Sequence, residues 1–221
     1  MQFRIKICGV TNVKDALAAV DSGADAIGLN FYRGSKRCIE NDEARRIVAA
    51  VGDGTAVIGV FVNAAVDEIH RISGSTPLRS VQLHGDESPQ LLAAIESNLQ
   101  IIRARRLDAS GTHAIRADIM ACQSAGRLPN AVLIDAAKAG QFGGTGHTVD
   151  WQLLVNHDAW MCEVPLILAG GLTPANVAEA IGIVRPQAVD VASGVESSPG
   201  KKDFAKVRDF VAAAKAAFAA C

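Results

Sequence analysis

The chain has 221 residues, is 49% hydrophobic and carries a formal net charge of -1, which suits one large core and provides no electrostatic footprint for nucleic acid. The N-terminus runs straight into a strand pattern without a signal-peptide layout, and no apolar stretch approaches the roughly 18 residues of a membrane span. The expectation is a soluble, cytoplasmic protein. Five cysteines, Cys8, Cys38, Cys122, Cys162 and Cys221, lie far apart with no C-x-x-C spacing and no clustered histidine, so they read as reduced thiols rather than as disulfides or a zinc site.

In chain order, short apolar, β-branched runs occur at Phe3–Cys8, Ala26–Asn30, Ala56–Val62, Ser80–His84, Gln100–Arg105, Ala131–Asp135, Pro165–Ala169 and Ala188–Ala192. These are eight strand candidates. Alanine-rich amphipathic stretches lie between them, for example Asn12–Val20, Asp42–Val51, Ala65–Ile72, Pro89–Ile95, Pro174–Ile181 and Asp203–Phe218, several entered through capping residues. Continuous apolar strands alternating with helices indicate a parallel sheet covered on both faces, and eight such units favour closure. The predicted fold is α/β: a single-domain (β/α)8 TIM barrel over residues 1–221, with strand and helix alternating eight times. No G-x-G-x-x-G follows the first strand, which speaks against a dinucleotide-binding doubly wound sheet.

Candidate chemistry gathers where strands end. Leu166–Pro174 and Val189–Glu196 each read as a buried strand opening into bare backbone, and Gly170, Gly171 and Gly194 remove the Cβ atoms that would keep N–H donors away from a phosphate. In such barrels the loops after the last two strands hold phosphate, so a phosphorylated small molecule is the expected ligand. The glycine-dense loop Gly140–His147 is a candidate lid or third phosphate contact. In the first strand Arg4, Lys6 and Cys8 share one face and Phe3, Ile5 and Ile7 the other. The polar set is expected to point into the barrel, with Cys8 at the rim above Lys6. A thiol of ordinary pKa about 8.5 next to an ammonium would become a usable base near neutral pH; a small buried thiol is the alternative. Asp135 ends the sixth strand as a candidate acid or a loop cap. Asp190, in the eighth strand, is expected to meet Lys6 across the closed barrel. Arg37 could clamp a carboxylate or be a solvated loop residue. Gln82 and His84 share a face and could line the pocket, though a satisfied core histidine fits equally. Arg103 and Arg105 are either rim contacts or helix-facing.

Together Lys6–Thr11, Ser35–Arg37, Gly59–Asn63, Gln82–Asp86, Leu133–Asp135, Gly143–Gly146, Leu168–Val177 and Asp190–Glu196 resemble the phosphoribosylanthranilate isomerase family of tryptophan biosynthesis, in family order and over almost the whole chain. The resemblance implies conversion of N-(5'-phosphoribosyl)anthranilate to 1-(2-carboxyphenylamino)-1-deoxyribulose 5-phosphate, an Amadori rearrangement with no metal and no organic cofactor. It implies that Asp135 is the general acid and Cys8 the general base. It further implies that Arg37 holds the anthranilate carboxylate and that Gly144, Gly146, Gly170, Gly171, Ser193 and Gly194 surround the phosphate. Cys38 beside Arg37 and Asn30 at the end of the second strand depart slightly from the pattern. The competing readings are another sugar-phosphate isomerase or epimerase barrel, and a non-catalytic sugar-phosphate sensor on the same scaffold. The expected partner is a small phosphorylated substrate, with no nucleic acid and no membrane, in a monomer or homodimer.

Overall fold

The computed structural model describes residues 3–107, 111–135 and 151–221. Its strands are β1 (Ile5–Cys8), β2 (Ala26–Asn30), β3 (Ala56–Phe61), β4 (Ser80–Leu83), β5 (Gln100–Arg106), β6 (Ala131–Asp135), β7 (Leu166–Ala169) and β8 (Ala188–Val191). Each pairs in parallel with its sequence neighbours, and β8 returns to β1 with Lys6 opposite Asp190, so the sheet closes into the predicted barrel. The helices around it are α1 (Val13–Asp21), α2 (Asn41–Val51), α3 (Val66–Ser75), α4 (Pro89–Ala94), α5 (Thr112–Ser124), α6 (Val177–Val184) and α7 (Phe204–Ala220). Asn12 starts α1 by accepting the Asp15 N–H at 2.9 Å, and Asp203 starts α7 by accepting from the Ala205 and Lys206 N–H groups. Each cap is worth about 1 kcal/mol.

Between β6 and β7 the described residues carry 3-10 turns at Trp151–Leu154 and His157–Ala159. The helix after β7 starts at Val177, three residues later than Pro174, because Asn176 is occupied in the preceding loop: its side chain accepts from the Thr173 N–H and donates to the Gly171 carbonyl.

Strand parity sorts every barrel residue, as expected where both faces of the sheet are covered. Ile5, Ile7, Val132, Ile134, Leu166, Leu168, Val189 and Val191 face the helices and belong to one large apolar cluster. Ala26, Ile58, Ile102, Ala104, Ala131, Leu133, Ile167, Ala169 and Ala188 fill the interior. Phe3 joins this inner group, and Arg4 is exposed with its guanidinium 5.1 Å from the centre of the Phe218 ring on α7. The predicted alternation of β1 therefore fails at its first two residues, because the strand begins only at Ile5.

Parity also settles the arginines of β5. Arg103 and Arg105 face outward, and both bind Asp118 of α5 through two N–H groups each, at 2.6–2.7 Å and 2.9–3.0 Å. Arg103 is fully buried, and burial works against the Asp118 charge. The two arginines outweigh that and hold the carboxyl below its ordinary range. Removing one partner of such a group leaves uncompensated charge behind. Asp118→Ala is expected to lower stability by about 3 kcal/mol in urea titration at pH 7. The contribution of Asp118 is present above its unfolded pKa and lost as pH falls through the lower folded value, so the two proteins should converge in stability in acid.

Candidate active site

At the C-terminal rim the inward parity of β1 brings Lys6 and Cys8 into the barrel. Lys6 is completely buried, and its ammonium donates to Asp190 Oδ1 and to Gln82 Oε1, both at 2.9 Å. Burial works against this charge, but Asp190 and Cys8 outweigh it and raise the Lys6 pKa. With the Gln82 oxygen occupied, its amide nitrogen is the group 2.7 Å from His84 Nδ1 and donates to it. That assignment puts the ring proton of a neutral His84 on Nε2. Burial pushes the His84 pKa down, assisted by Lys6 and Arg106 and opposed by Asp135 and Asp190. A single hydrogen-bonded line thus runs from Asp190 through Lys6 and Gln82 to His84.

Cys8 sits over Gly28 of β2, where an added Cβ would come within 2.7 Å of the Cys8 sulfur and 3.2 Å of Lys6 Cε. The missing side chain is what lets the thiol and the ammonium share this space. Contrary to expectation, the Cys8 pKa is raised: burial dominates, Asp190 adds to it, and Lys6 and Lys202 offset only part. An ammonium is beside the thiol as predicted, but desolvation of the thiolate is the larger effect.

Asp135 ends β6 on the inward parity, in register with Arg106 of β5. Arg106 is the exposed rim arginine of this strand; sequence reasoning missed it by following Arg103 and Arg105, which have the opposite parity. Arg37 lies in the turn after β2 and crosses the β1 loop at Gly9, where φ is +71° and an added Cβ would collide with the Arg37 side chain. Its Nε and Nη2 donate to the two oxygens of Glu196 at 2.7 and 2.6 Å. Glu196 also accepts from the buried Lys202 at 3.0 Å. Sequence reasoning gave neither Glu196 nor Lys202 a role. Lys201-Lys202 reads as an exposed basic pair, and nothing local marks the second as buried.

In the loop after β7, Gly170 and Gly171 have φ of +88° and +67°, the left-handed region where other residues are strained. Ser193 opens a 3-10 turn after β8. Gly194 packs so closely on the loop after β7 that a Cβ would collide with the Leu172 carbonyl. The glycines of both loops thus bring bare backbone together at one place. Gly144 and Gly146, with the loop Gly140–His147, lie outside the described residues. Gly194→Ala is expected to push the two loops apart and raise KM for a phosphorylated substrate on the order of tenfold or more, the effect of a 1–3 kcal/mol overpacking strain; steady-state kinetics checks this.

The family model for N-(5'-phosphoribosyl)anthranilate (PRA) isomerase matches residues 5–213. The chain belongs to the phosphoribosylanthranilate isomerase family. A family member from Pseudomonas fluorescens is 45% identical over 213 residues, covering 96% of this chain and 98% of the relative. The crystal structure of phosphoribosylanthranilate isomerase from Thermotoga maritima superimposes with a TM-score of 0.86 at 39% identity, covering 97% of this chain and 99% of that one. A phosphoribosylanthranilate isomerase in complex with reduced 1-(o-carboxyphenylamino)-1-deoxyribulose 5-phosphate gives a TM-score of 0.82 at 36% identity, with coverage of 97% and 99%. The chain is therefore an isomerase on the (β/α)8 barrel of that family. Among the described residues no helix is long and apolar enough to cross a membrane.

Proposed function

We propose that this protein converts N-(5'-phosphoribosyl)anthranilate to 1-(2-carboxyphenylamino)-1-deoxyribulose 5-phosphate in tryptophan biosynthesis, with Asp135 as general acid and Cys8 as general base. The observation that supports placing both in one site is their shared inward parity, one at the end of β1 and one at the end of β6; the division into acid and base is what the family resemblance implies. Asp135 protonates the ribose ring oxygen. The C1–O bond then breaks as the anilino nitrogen lone pair forms an iminium at C1. The thiolate of Cys8 takes the proton from C2, and the electrons of that bond neutralise the iminium to an enolamine. Protonation at C1 with loss of the C2 hydroxyl proton gives the ketone. The protons balance, and no electrons leave the substrate.

The elevated pKa of Cys8 fits this order of events. Cys8, half-buried, is ionised only in small part before ring opening, its own proton passing to solvent. The iminium then brings a positive charge next to it and acidifies C2, so the base gains strength of attraction when it is needed. Neutral His84, held by Gln82, adds no cation that would oppose the iminium. The bare backbone of Gly170, Gly171 and Gly194, with Ser193, suits the substrate phosphate; for Gly144 and Gly146 that role is what the family resemblance implies. Arg37, beside Cys8 and across Gly9, is positioned to meet the anthranilate carboxylate with the edge of its guanidinium that Glu196 leaves open.

The test follows the loss of anthranilate fluorescence from freshly prepared phosphoribosylanthranilate. Turnover by the wild-type protein is expected. Binding of the phosphorylated ligand without turnover would overturn the proposal in favour of a sugar-phosphate sensor.

A further inference from the structure

The Arg37 site contains a charge problem. Its guanidinium is held side-on by both oxygens of Glu196, and an arginine–carboxylate pair is neutral overall. A neutral pair attracts a second carboxylate poorly, however well its remaining N–H groups are aimed. The structure resolves this with a third group. The side chain of Lys202, fully buried, donates to Glu196 Oε1 at 3.0 Å, to the Cys8 carbonyl at 2.6 Å and to the Ala192 carbonyl at 3.1 Å. Burial lowers the Lys202 pKa, with Glu196 and Cys8 opposing that shift; a neutral amine has two N–H donors and an ammonium three, so the three surrounding acceptors favour the charged form. The Lys202 backbone N–H is bonded to buried Asp15 at 2.8 Å, which fixes where the side chain starts.

We propose that Glu196 and Lys202 are positioning residues for substrate recognition: Glu196 locks the plane of the Arg37 guanidinium, and Lys202 cancels the Glu196 charge. The three groups then keep one net positive charge facing the ring carboxylate of the substrate. Two observations support this beyond the distances. Three N–H groups of Arg37 remain after the Glu196 contact, enough for a second two-pronged carboxylate contact on the Nη edge, and the Arg37 side chain keeps 26% exposure while that of Glu196 keeps 4%. The accessible charge is thus the arginine, and the compensating pair lies behind it. Burial works against the Glu196 carboxylate, but Arg37 and Lys202 together hold its pKa below the ordinary range, so it stays ionised. Because Lys202 also holds the carbonyls at the ends of β1 and β8, one ammonium sets the relative placement of the base, the phosphate loop and the carboxylate clamp.

The inference rests on the reading that Arg37 meets the anthranilate carboxylate, and the test separates the two. Dissociation constants would be measured calorimetrically for two stable probes: reduced 1-(o-carboxyphenylamino)-1-deoxyribulose 5-phosphate and its reduced phenylamino counterpart without the carboxylate. Arg37→Met should weaken the first by about tenfold or more and leave the second nearly unchanged. Equal effects on both probes, or none, would overturn the carboxylate reading and this inference with it. Given the expected Arg37→Met result, Lys202→Met should likewise weaken the carboxylated probe selectively, by about tenfold. The double variant Glu196→Gln/Lys202→Met restores the net charge and should recover most of the loss, a rescue that a merely structural role for Lys202 would not produce. Equal weakening of both probes by Lys202→Met, or no recovery in the double variant, would sink the inference while leaving the Arg37 reading intact. If Lys202→Met does not fold, the double variant, in which no fully buried charge is left unpaired, decides alone: a retained preference for the carboxylated probe supports the inference, and a lost one overturns it.

Discussion

Cys8→Ala and Asp135→Asn are each expected to lower kcat by about 10²–10⁴, the usual worth of a positioned proton-transfer group, with KM changing much less. The two substitutions remove different steps. Without the carboxylic acid the ribose ring does not open, and without the thiol the iminium forms but keeps its C2 proton. Substrate deuterated at C2 separates them: the isotope effect should grow when the C2 step is impaired and shrink when ring opening becomes limiting. The pH dependence carries the signature of the base. Because burial raises the Cys8 pKa, the limb of the wild-type kcat/KM profile that belongs to the thiol should lie above the ordinary thiol pKa of about 8.5. A thiol limb centred below that value would rule out the thiol of this environment as the base.

The second large effect concerns the ion pair beneath the site. Asp190→Asn should cost about 3–5 kcal/mol in urea-induced unfolding, because it leaves the completely buried Lys6 ammonium without its counter-charge. The folded-state pKa of Lys6 is raised, so its stabilising contribution is fully present below the unfolded pKa of about 10.4 and is lost as pH rises through the folded value. The loss on substitution should therefore be nearly constant from pH 6 to 9. Asp190 also pushes the Cys8 pKa upward. Its replacement should move the thiol limb of the pH–rate profile to lower pH, a readout that a purely structural ion pair would leave in place. Unchanged stability together with an unchanged profile would refute the role assigned to the pair.

Lys6 and Asp190 also illustrate how far local pattern reaches. The eight strands, their parallel order and the closure that sets β8 beside β1 were legible because each strand is a continuous apolar run and each connection a helical or turn-rich stretch. Closure then makes the Lys6–Asp190 contact a matter of topology. The inward parity of Lys6 and Cys8 and the shared face of Gln82 and His84 followed from the two-residue period of strands, Asp135 stood at the rim as a strand end, and the glycines after β7 and β8 announced themselves by composition. The same parity rule left Arg103 and Arg105 open between rim and helices, because polarity alone does not say which side of a strand faces the pocket. Asp118 on α5, the helix that follows the strand, binds both on the outer face, and Arg106 has the inward parity.

By itself, then, the amino-acid order determined the barrel, its register around Lys6 and Asp190, and the rim positions of Cys8 and Asp135, since these depend on local periodicity and on the order of the strands. Only the tertiary structure decided the direction of the Cys8 pKa and the partnership of Arg37, Glu196 and Lys202. Desolvation depends on everything packed around a group, and contacts between residues 159 and 194 positions apart, as in Arg37–Glu196 and Cys8–Lys202, leave no mark on local sequence.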